Sequence, residues 1–196
     1  PIVLLFNKVD DYSVEEFAEM KYLAELYRKI GYTCIGISAE TGENIDQVKA
    51  LMKDNVSVFA GHSGVGKSTL VNAIEPGLNI KTSQISLQHK QGQHTTTFAE
   101  MHELHFGGQI IDTPGIRGFG VVDIDKYALD NYFPEFFKVK PNCKFNNCIH
   151  VDEPKCAVKE DLTEDKIAYS RYKSYLQIME GDEDENFRKD PYQDLR

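Results

Sequence analysis

Gly61-His62-Ser63-Gly64-Val65-Gly66-Lys67-Ser68 has the spacing of a phosphate-binding loop, G-x-x-x-x-G-K-S. Its glycines let successive backbone N–H groups turn inward around phosphate oxygens at the positive end of the following helix. The phosphate contacts are expected from Gly61, Ser63, Gly64, Val65, Gly66, Lys67, Ser68 and Thr69. Lys67 reaches the β- and γ-phosphates in such a loop, and the Ser68 hydroxyl ligates Mg²⁺. The loop by itself does not distinguish ATP from GTP.

Asn7-Lys8-Val9-Asp10 makes that distinction. The Asp10 carboxylate can accept hydrogen bonds from guanine N1–H and the 2-amino group together, with Asn7 beside it and Lys8 over the ring face. Adenine has neither donor, so a buried carboxylate would be left unpaired, and sites of this kind reject the wrong ligand by orders of magnitude. Ser38-Ala39-Glu40-Thr41-Gly42 matches the auxiliary guanine loop, in which the Ala39 amide meets guanine O6. Asp112-Thr113-Pro114-Gly115 follows an apolar strand end. Asp112 is expected to hold Mg²⁺ through water and the Gly115 amide to sense the γ-phosphate. His94-Thr95-Thr96-Thr97 lies in a long polar stretch, residues 76 to 97. There Thr96 is the favoured metal-binding hydroxyl of a first switch.

Ile116 follows the D-T-P-G motif, where many such enzymes place a water-orienting Gln. An apolar side chain cannot position water, so His94 is the nearest candidate to assist, with Lys67 and Thr96 as the other catalytic candidates. A second cluster, Cys143, Cys148, His150 and Cys156, offers three thiolates and an imidazole within fourteen residues, the donors of a closed tetrahedral Zn²⁺ site. With no open position that ion would be structural, fixing a loop-rich unit with little core of its own. His150, two residues beyond Cys148, must approach from a turn. Cys34 falls in a strand and reads as a buried apolar residue.

The elements that must hold these motifs alternate. Ile2 to Phe6 reads as a strand, and Ser13-Val14-Glu15-Glu16 as a capping box opening a helix to Ile30. Phe17, Met20, Leu23, Tyr27 and Ile30 form its apolar stripe, and Gly31 ends it. Thr33 to Ile37 reads as a strand, Asn44 to Met52 as a helix, and Val56 to Ala60 as a third strand. Met101 to Phe106 and Gln109 to Ile111 form a hairpin about Gly107-Gly108. A last helix is expected over Glu164 to Glu180. Strand–helix alternation favours an α/β fold with a mainly parallel sheet and helices on both faces. The aromatic, Cys-containing segment after Asp123 sets the expected units at residues 1–124 and 125–196, the second zinc-binding and mostly helical.

The 196 residues are 41% hydrophobic with a net charge of −9. Acidic balance argues weakly against a nucleic-acid binder, but Lys138, Lys140, Lys144, Lys155, Lys159, Arg171 and Lys173 concentrate in the C-terminal third. Asp182 to Glu185 read as a solvated tail. No apolar run approaches the roughly 18–20 residues that span a bilayer, so no membrane association is expected. The chain opens without Met in what reads as a sheet strand, so a piece of a longer protein is expected.

With the guanine loop ahead of the phosphate loop and the zinc cluster behind both, the chain resembles the RsgA (YjeQ) family of circularly permuted GTPases. The resemblance rests on Asn7 to Asp10, Gly61 to Ser68, His94 to Thr97, Asp112 to Gly115 and the Cys143/Cys148/His150/Cys156 cluster. It implies GTP hydrolysis to GDP, stimulated by the small ribosomal subunit during late maturation, and a role for His94 as catalytic histidine. It also implies contact with rRNA, a cytoplasmic location and, in the family, an N-terminal OB-fold that is not expected within this chain; a monomer is expected. Two other readings are a nucleotide-dependent adaptor with negligible hydrolysis and a permuted GTPase of the large subunit. The zinc cluster argues against the last. The permuted order leads the second switch into the C-terminal segment, to which the γ-phosphate state is expected to pass.

Overall fold

The structure, a computed structural model, describes residues 1–62, 64–78, 100–112 and 125–180. The chain forms two compact units, Pro1–Phe119 and Gly120–Arg196. In the first, β1 (Val3–Phe6) pairs in parallel with β2 (Thr33–Gly36). β3 (Val56–Val58) pairs in parallel with β5 (Gln109–Asp112), which also takes β4 (Glu100–Glu103) antiparallel. Among the described residues these strands make two hydrogen-bonded sheets, β1-β2 and β3-β5-β4. Both contribute to one core. Leu5, Ile35 and Ile37 meet Phe59 and Ile110 there, together with Ile45, Val48 and Met52 of α2 (Ile45–Met52) and Leu70, Val71 and Ile74 of α3 (Lys67–Ile74). The spacings i, i+3, i+7 in α2 and i, i+1, i+4 in α3 place each set on one face.

The helix α1 (Val14–Ile30) begins with the anticipated capping box: Ser13 Oγ accepts from the Glu16 N–H at 3.2 Å, and the Ser13 N–H donates to Glu16 Oε2 at 2.8 Å. Gly31, at φ 119°, ends it in the left-handed conformation a glycine adopts without strain. The expected stripe is only half covered, and Phe17 stays 39% exposed while Ala24 alone is buried. Geometry accounts for this. A 17-residue helix runs about 25 Å, whereas four-residue strands run about 13 Å, so the strand pair beneath cannot cover it.

The β4–β5 turn is set by Gly107 and Gly108, at φ 94° and 91°. A Cβ on Gly108 would collide with the Met52 carbonyl oxygen, so this turn needs glycine for space as well as for conformation.

In the second unit, α4 (Pro134–Val139), α5 (Ala157–Thr163) and α6 (Tyr169–Glu180) surround an aromatic core of Phe133, Phe136, Tyr172 and Tyr175 with Leu129, Val158, Ile167 and Met179. Two expectations are corrected here. The unit does have a core, and the metal-ligand candidates Cys148 and Cys156 are part of it. The last helix starts at Tyr169 rather than Glu164, because Glu164 caps α5 and Asp165 turns left-handed at φ 57°. The Lys166 and Ile167 N–H groups then bond back to the Asp161 carbonyl oxygen, which is incompatible with a helix running through. No helix among the described residues is long and apolar enough to cross a membrane.

Candidate functional site

Parallel strands end at the same edge, and the loops leaving β1 and β2 meet there. Asn7 leaves β1 and uses its whole amide. Its Nδ2 donates to the Val65 carbonyl oxygen of the phosphate loop at 2.9 Å, and its Oδ1 accepts the Ala39 N–H of the auxiliary loop at 3.1 Å. The Tyr12 hydroxyl donates to the Asn7 carbonyl oxygen at 3.0 Å. One side chain therefore joins three loops that lie up to 58 residues apart. Asn7 acts here as a strut, and the Ala39 amide, expected to face guanine O6, is bonded to it.

Lys8 takes a left-handed conformation, φ 68°, and starts the short 3₁₀ turn Val9–Asp11 that carries Asp10. Ser38 is fully buried; its Oγ accepts the Thr41 N–H at 3.0 Å and its carbonyl oxygen accepts the Gly42 N–H at 3.0 Å, which curls the loop. Asn7, Lys8 and Asp10, with Ser38 and Ala39, and with Gly66 and Thr69 from the phosphate segment, line one cavity of about 240 Å³. The three motifs thus share a site, somewhat smaller than typical small-molecule pockets of about 300–1,000 Å³.

Gly66 stands before α3 at φ 90°, and a Cβ there would lie 2.5 Å from Asn7 Nδ2, so two constraints demand glycine. Lys67 Nζ donates to the carbonyl oxygens of Gly61 at 2.5 Å and His62 at 2.8 Å, folding over the loop it is expected to serve. Gly64 turns at φ 85°, Val65 is 41% exposed, and Ser68 sits in the first turn of α3. Asp112 closes β5 with its backbone opposite Glu100. Ser63, His94, Thr95, Thr96, Thr97, Gly115, Ile116 and Arg117 lie outside the described residues, as does the acidic tail.

At the far end of α3, Glu75 Oε2 accepts both the His105 backbone N–H at 3.0 Å and its ring Nδ1 at 2.7 Å. These bonds, the backbone one foremost, hold the Glu75 carboxyl below the usual carboxylate range. They tie the β4–β5 turn to the helix that follows the phosphate loop.

Removing the strut is expected to weaken nucleotide binding. Asn7→Ala leaves the Val65 carbonyl and the Ala39 N–H without their partner, at about 1–3 kcal/mol for groups left unsatisfied. The expected loss of GDP affinity is roughly 10–100-fold, read from fluorescent-GDP titration. Affinity within two-fold of wild type would show that the three loops hold their places without it.

In the second unit the ligand atoms of Cys143, Cys148, His150 and Cys156 all lie within 4.8 Å of one another. His150 Nδ1 is 3.3 Å from Cys156 Sγ and 3.8 Å from Cys143 Sγ. A Zn²⁺ tetrahedron with Zn–S near 2.3 Å and Zn–N near 2.0 Å has edges of roughly 3.5–3.8 Å. That is close to the two His150–Cys distances and about 1 Å inside the widest spacing of the set, so the donor set suits a metal ion that would draw it slightly together. His150 turns left-handed at φ 62°, the approach its spacing required. That turn is clamped on both sides. The Ile149 and Val151 N–H groups donate to Glu153 at 2.8 and 3.0 Å, while the Tyr175 and Tyr172 hydroxyls donate to the Ile149 and His150 carbonyl oxygens at 2.8 and 2.7 Å.

Burial pushes the His150 imidazolium down, which favours the neutral, ligating ring, and pushes the Cys148 and Cys156 thiols up. Thiolates disfavoured by burial need a nearby cation, which a divalent metal supplies. On the other side of the ring, His150 Nε2 lies 3.2 Å from Asp130 Oδ2, and Lys140 Nζ lies 2.6 Å from the same oxygen.

Sequence reasoning gave no role at either site to Asp130, Glu153 or Tyr12; it counted Lys140 only among the basic residues of the C-terminal third and Tyr172 and Tyr175 only as the apolar side of the last helix. Asp130 left one trace, as a lone carboxylate between Leu129 and the Phe133–Phe136 pair. Glu153, Tyr12 and the two tyrosines act on backbone groups, which carry no residue signature, and Lys140 acts on a carboxylate ten residues away. Cys34 is buried, as expected of a strand cysteine.

The profile of the family described as RsgA GTPase matches residues 1–122. The chain is 68% identical over 191 residues to a protein of Christiangramia forsetii named small ribosomal subunit biogenesis GTPase RsgA, covering 97% of this chain and 60% of that protein. A protein of the same name from Flavobacterium psychrophilum is 59% identical over 194 residues, covering 99% of this chain and 59% of that protein. The chain therefore spans about 60% of the length of these relatives. Among solved structures it resembles YjeQ from Thermotoga maritima, with TM-score 0.77 and 38% identity, covering 91% of this chain and 58% of that one. It also resembles YloQ, described as a circularly permuted GTPase, with TM-score 0.73 and 31% identity, covering 91% of this chain and 55% of that one. The fold is that of a circularly permuted GTPase.

Proposed function

Because the chain belongs to the RsgA GTPase family, we propose that it binds GTP, hydrolyses it to GDP and acts in late maturation of the small ribosomal subunit. One observation supports the nucleotide reading: Asn7 bonds both the phosphate loop and the auxiliary loop, and Asp10, Gly66 and Thr69 line one cavity beside it. In this reading Asp10 accepts the two guanine donors and Lys8 covers the ring. Asn7, Ser38 and Ala39 complete the base pocket. Gly61, Ser63, Gly64, Val65 and Gly66 wrap the phosphates, with Lys67, Ser68 and Thr69. Ser68, Thr96 and, through water, Asp112 hold Mg²⁺, while Gly115 senses the γ-phosphate. His94 supplies the hydrolytic assistance that Ile116 does not.

The proposal includes one structural Zn²⁺ on Cys143, Cys148, His150 and Cys156, supported by the donor set and its spacing. It divides the chain into a GTPase domain, 1–124, and a zinc-binding domain, 125–196. The partner is the small ribosomal subunit and its rRNA, following the name its relatives carry. A cytoplasmic monomer fits this work.

GTP turnover with and without purified small ribosomal subunits tests the proposal, with Lys67→Ala as control. The expected result is turnover that the subunits raise at least ten-fold and that Lys67→Ala abolishes. Intact GTP binding with no stimulation and no basal turnover would favour a nucleotide-dependent adaptor instead.

A further inference from the structure

We propose that Asp130 is the positioning residue of the metal centre, holding His150 from behind so that its Nδ1 faces the three thiols, with Lys140 neutralising the carboxylate. The inference rests on the metal reading above. An imidazole that ligates through Nδ1 must carry its proton on Nε2, and that proton needs an acceptor in a fully buried site. Asp130 Oδ2, at 3.2 Å, is that acceptor. The Nδ1 edge already points at Cys156 and Cys143, so the ring is oriented for one tautomer only.

Asp130 is itself 2% exposed, and burying a carboxylate is unfavourable unless it is paired. Its pairing is incomplete: among the described residues Oδ1 has no hydrogen-bond partner, while Oδ2 takes both Lys140 and His150. An acid kept only to satisfy its own hydrogen bonds would not leave one oxygen empty and crowd the other. The crowded oxygen is the one that serves the histidine. Charge explains Lys140. Three thiolates around a divalent ion leave one net negative charge, to which a second buried anion is tolerable only with a cation beside it. Lys140 Nζ, 2.6 Å from Oδ2 and still 25% exposed, is that cation. Carboxylates placed behind a ligating histidine raise its basicity and fix its orientation, and losing them typically weakens metal binding 10–100-fold.

The test uses the whole chain, loaded with Zn²⁺ or Co²⁺, in four forms: wild type, Asp130→Asn, Lys140→Met and Tyr172→Phe. Zinc affinity is read by competition with a chromophoric chelator, and the tautomer of His150 by long-range ¹H–¹⁵N correlation of the zinc-loaded wild type. Asp130→Asn is expected to weaken zinc 10–100-fold and to shift the cobalt ligand-field bands, and Lys140→Met to fall between it and wild type. Tyr172→Phe, which loses only the bond to the His150 carbonyl, is expected to lower the melting temperature with affinity kept within three-fold.

The wild-type spectrum is expected to show the proton on Nε2 and the metal on Nδ1, a reading that stands even where Asp130→Asn fails to fold. The reverse tautomer overturns the proposal, as does Asp130→Asn with wild-type affinity and bands. A wild-type chain that takes up neither ion overturns the metal reading, and this proposal with it.

Discussion

Replacing Cys156 with Ser, or stripping the metal with a chelator, is expected to melt the Gly120–Arg196 unit while leaving GDP binding within a few-fold of wild type. Structural Zn²⁺ contributes an apparent 10–16 kcal/mol at neutral pH in small zinc-binding folds, and a whole domain is stable by only about 5–15 kcal/mol. Loss of the ion therefore exceeds what the rest of the unit can hold. The core does not compensate, because the ligands are part of it: Cys148, Cys156 and His150 are buried among Phe136, Tyr172 and Tyr175. Without a metal the same positions carry buried thiols, an imidazole and the Asp130 carboxylate. Acid acts in the same direction, since each thiolate must lose the metal to take up a proton, so affinity falls as pH falls. Amide exchange separates the two units. Protection lost across 125–180 and kept across 1–78 is the expected pattern; full protection of both after verified metal removal would sink the prediction.

Asp10→Asn is expected to lower GDP affinity by roughly 10³-fold or more and to raise the affinity for xanthosine diphosphate above it. A carboxylate accepts from guanine N1–H and from the 2-amino group. An asparagine can accept only one of these and turns its own NH₂ toward the other, donor against donor. Charge-assisted bonds contribute about 1.5–3 kcal/mol each, and an unpaired buried donor costs a further 1–3 kcal/mol. Xanthine carries a carbonyl at C2, which accepts from that NH₂, so the loss is repaired by the ligand. Competition binding with both diphosphates reads the inversion directly. Equal weakening for the two would mean that the substitution had damaged the loop and that Asp10 does not read the base edge. The cavity makes the first outcome the expected one, because Asp10 lines it together with Ala39 and Gly66.

Motif chemistry was legible in the sequence because it depends on residue type at fixed short spacing. The G-x-x-x-x-G-K-S loop, the Asn7–Asp10 loop and the Cys143–Cys156 cluster each declare their chemistry within a few residues. Local elements were legible for the same reason. Ser13 and Glu16 start α1, and Gly31 stops it. Most strand ends fell within a residue or two, the ordinary uncertainty of boundaries, while the strand expected to run to Phe106 ends at Glu103, where the glycine turn begins. The last helix was misread because Asp165 and Lys166 look helical by composition, and only the left-handed turn at Asp165 and the bonds to Asp161 show the break.

What the sequence by itself determined, then, is which chemistries the chain contains and in what order. Tertiary structure alone decided how they are held: Asn7 as the strut between three loops, Gly66 as the position with no room for a side chain, and the Asp130–Lys140 pair behind His150. The physical reason is range. A capping box or a phosphate loop acts over three to eight residues, within reach of local spacing rules. A hydrogen bond between residues 58 apart, or a carboxylate serving a histidine 20 residues on, exists only once the chain has folded them together.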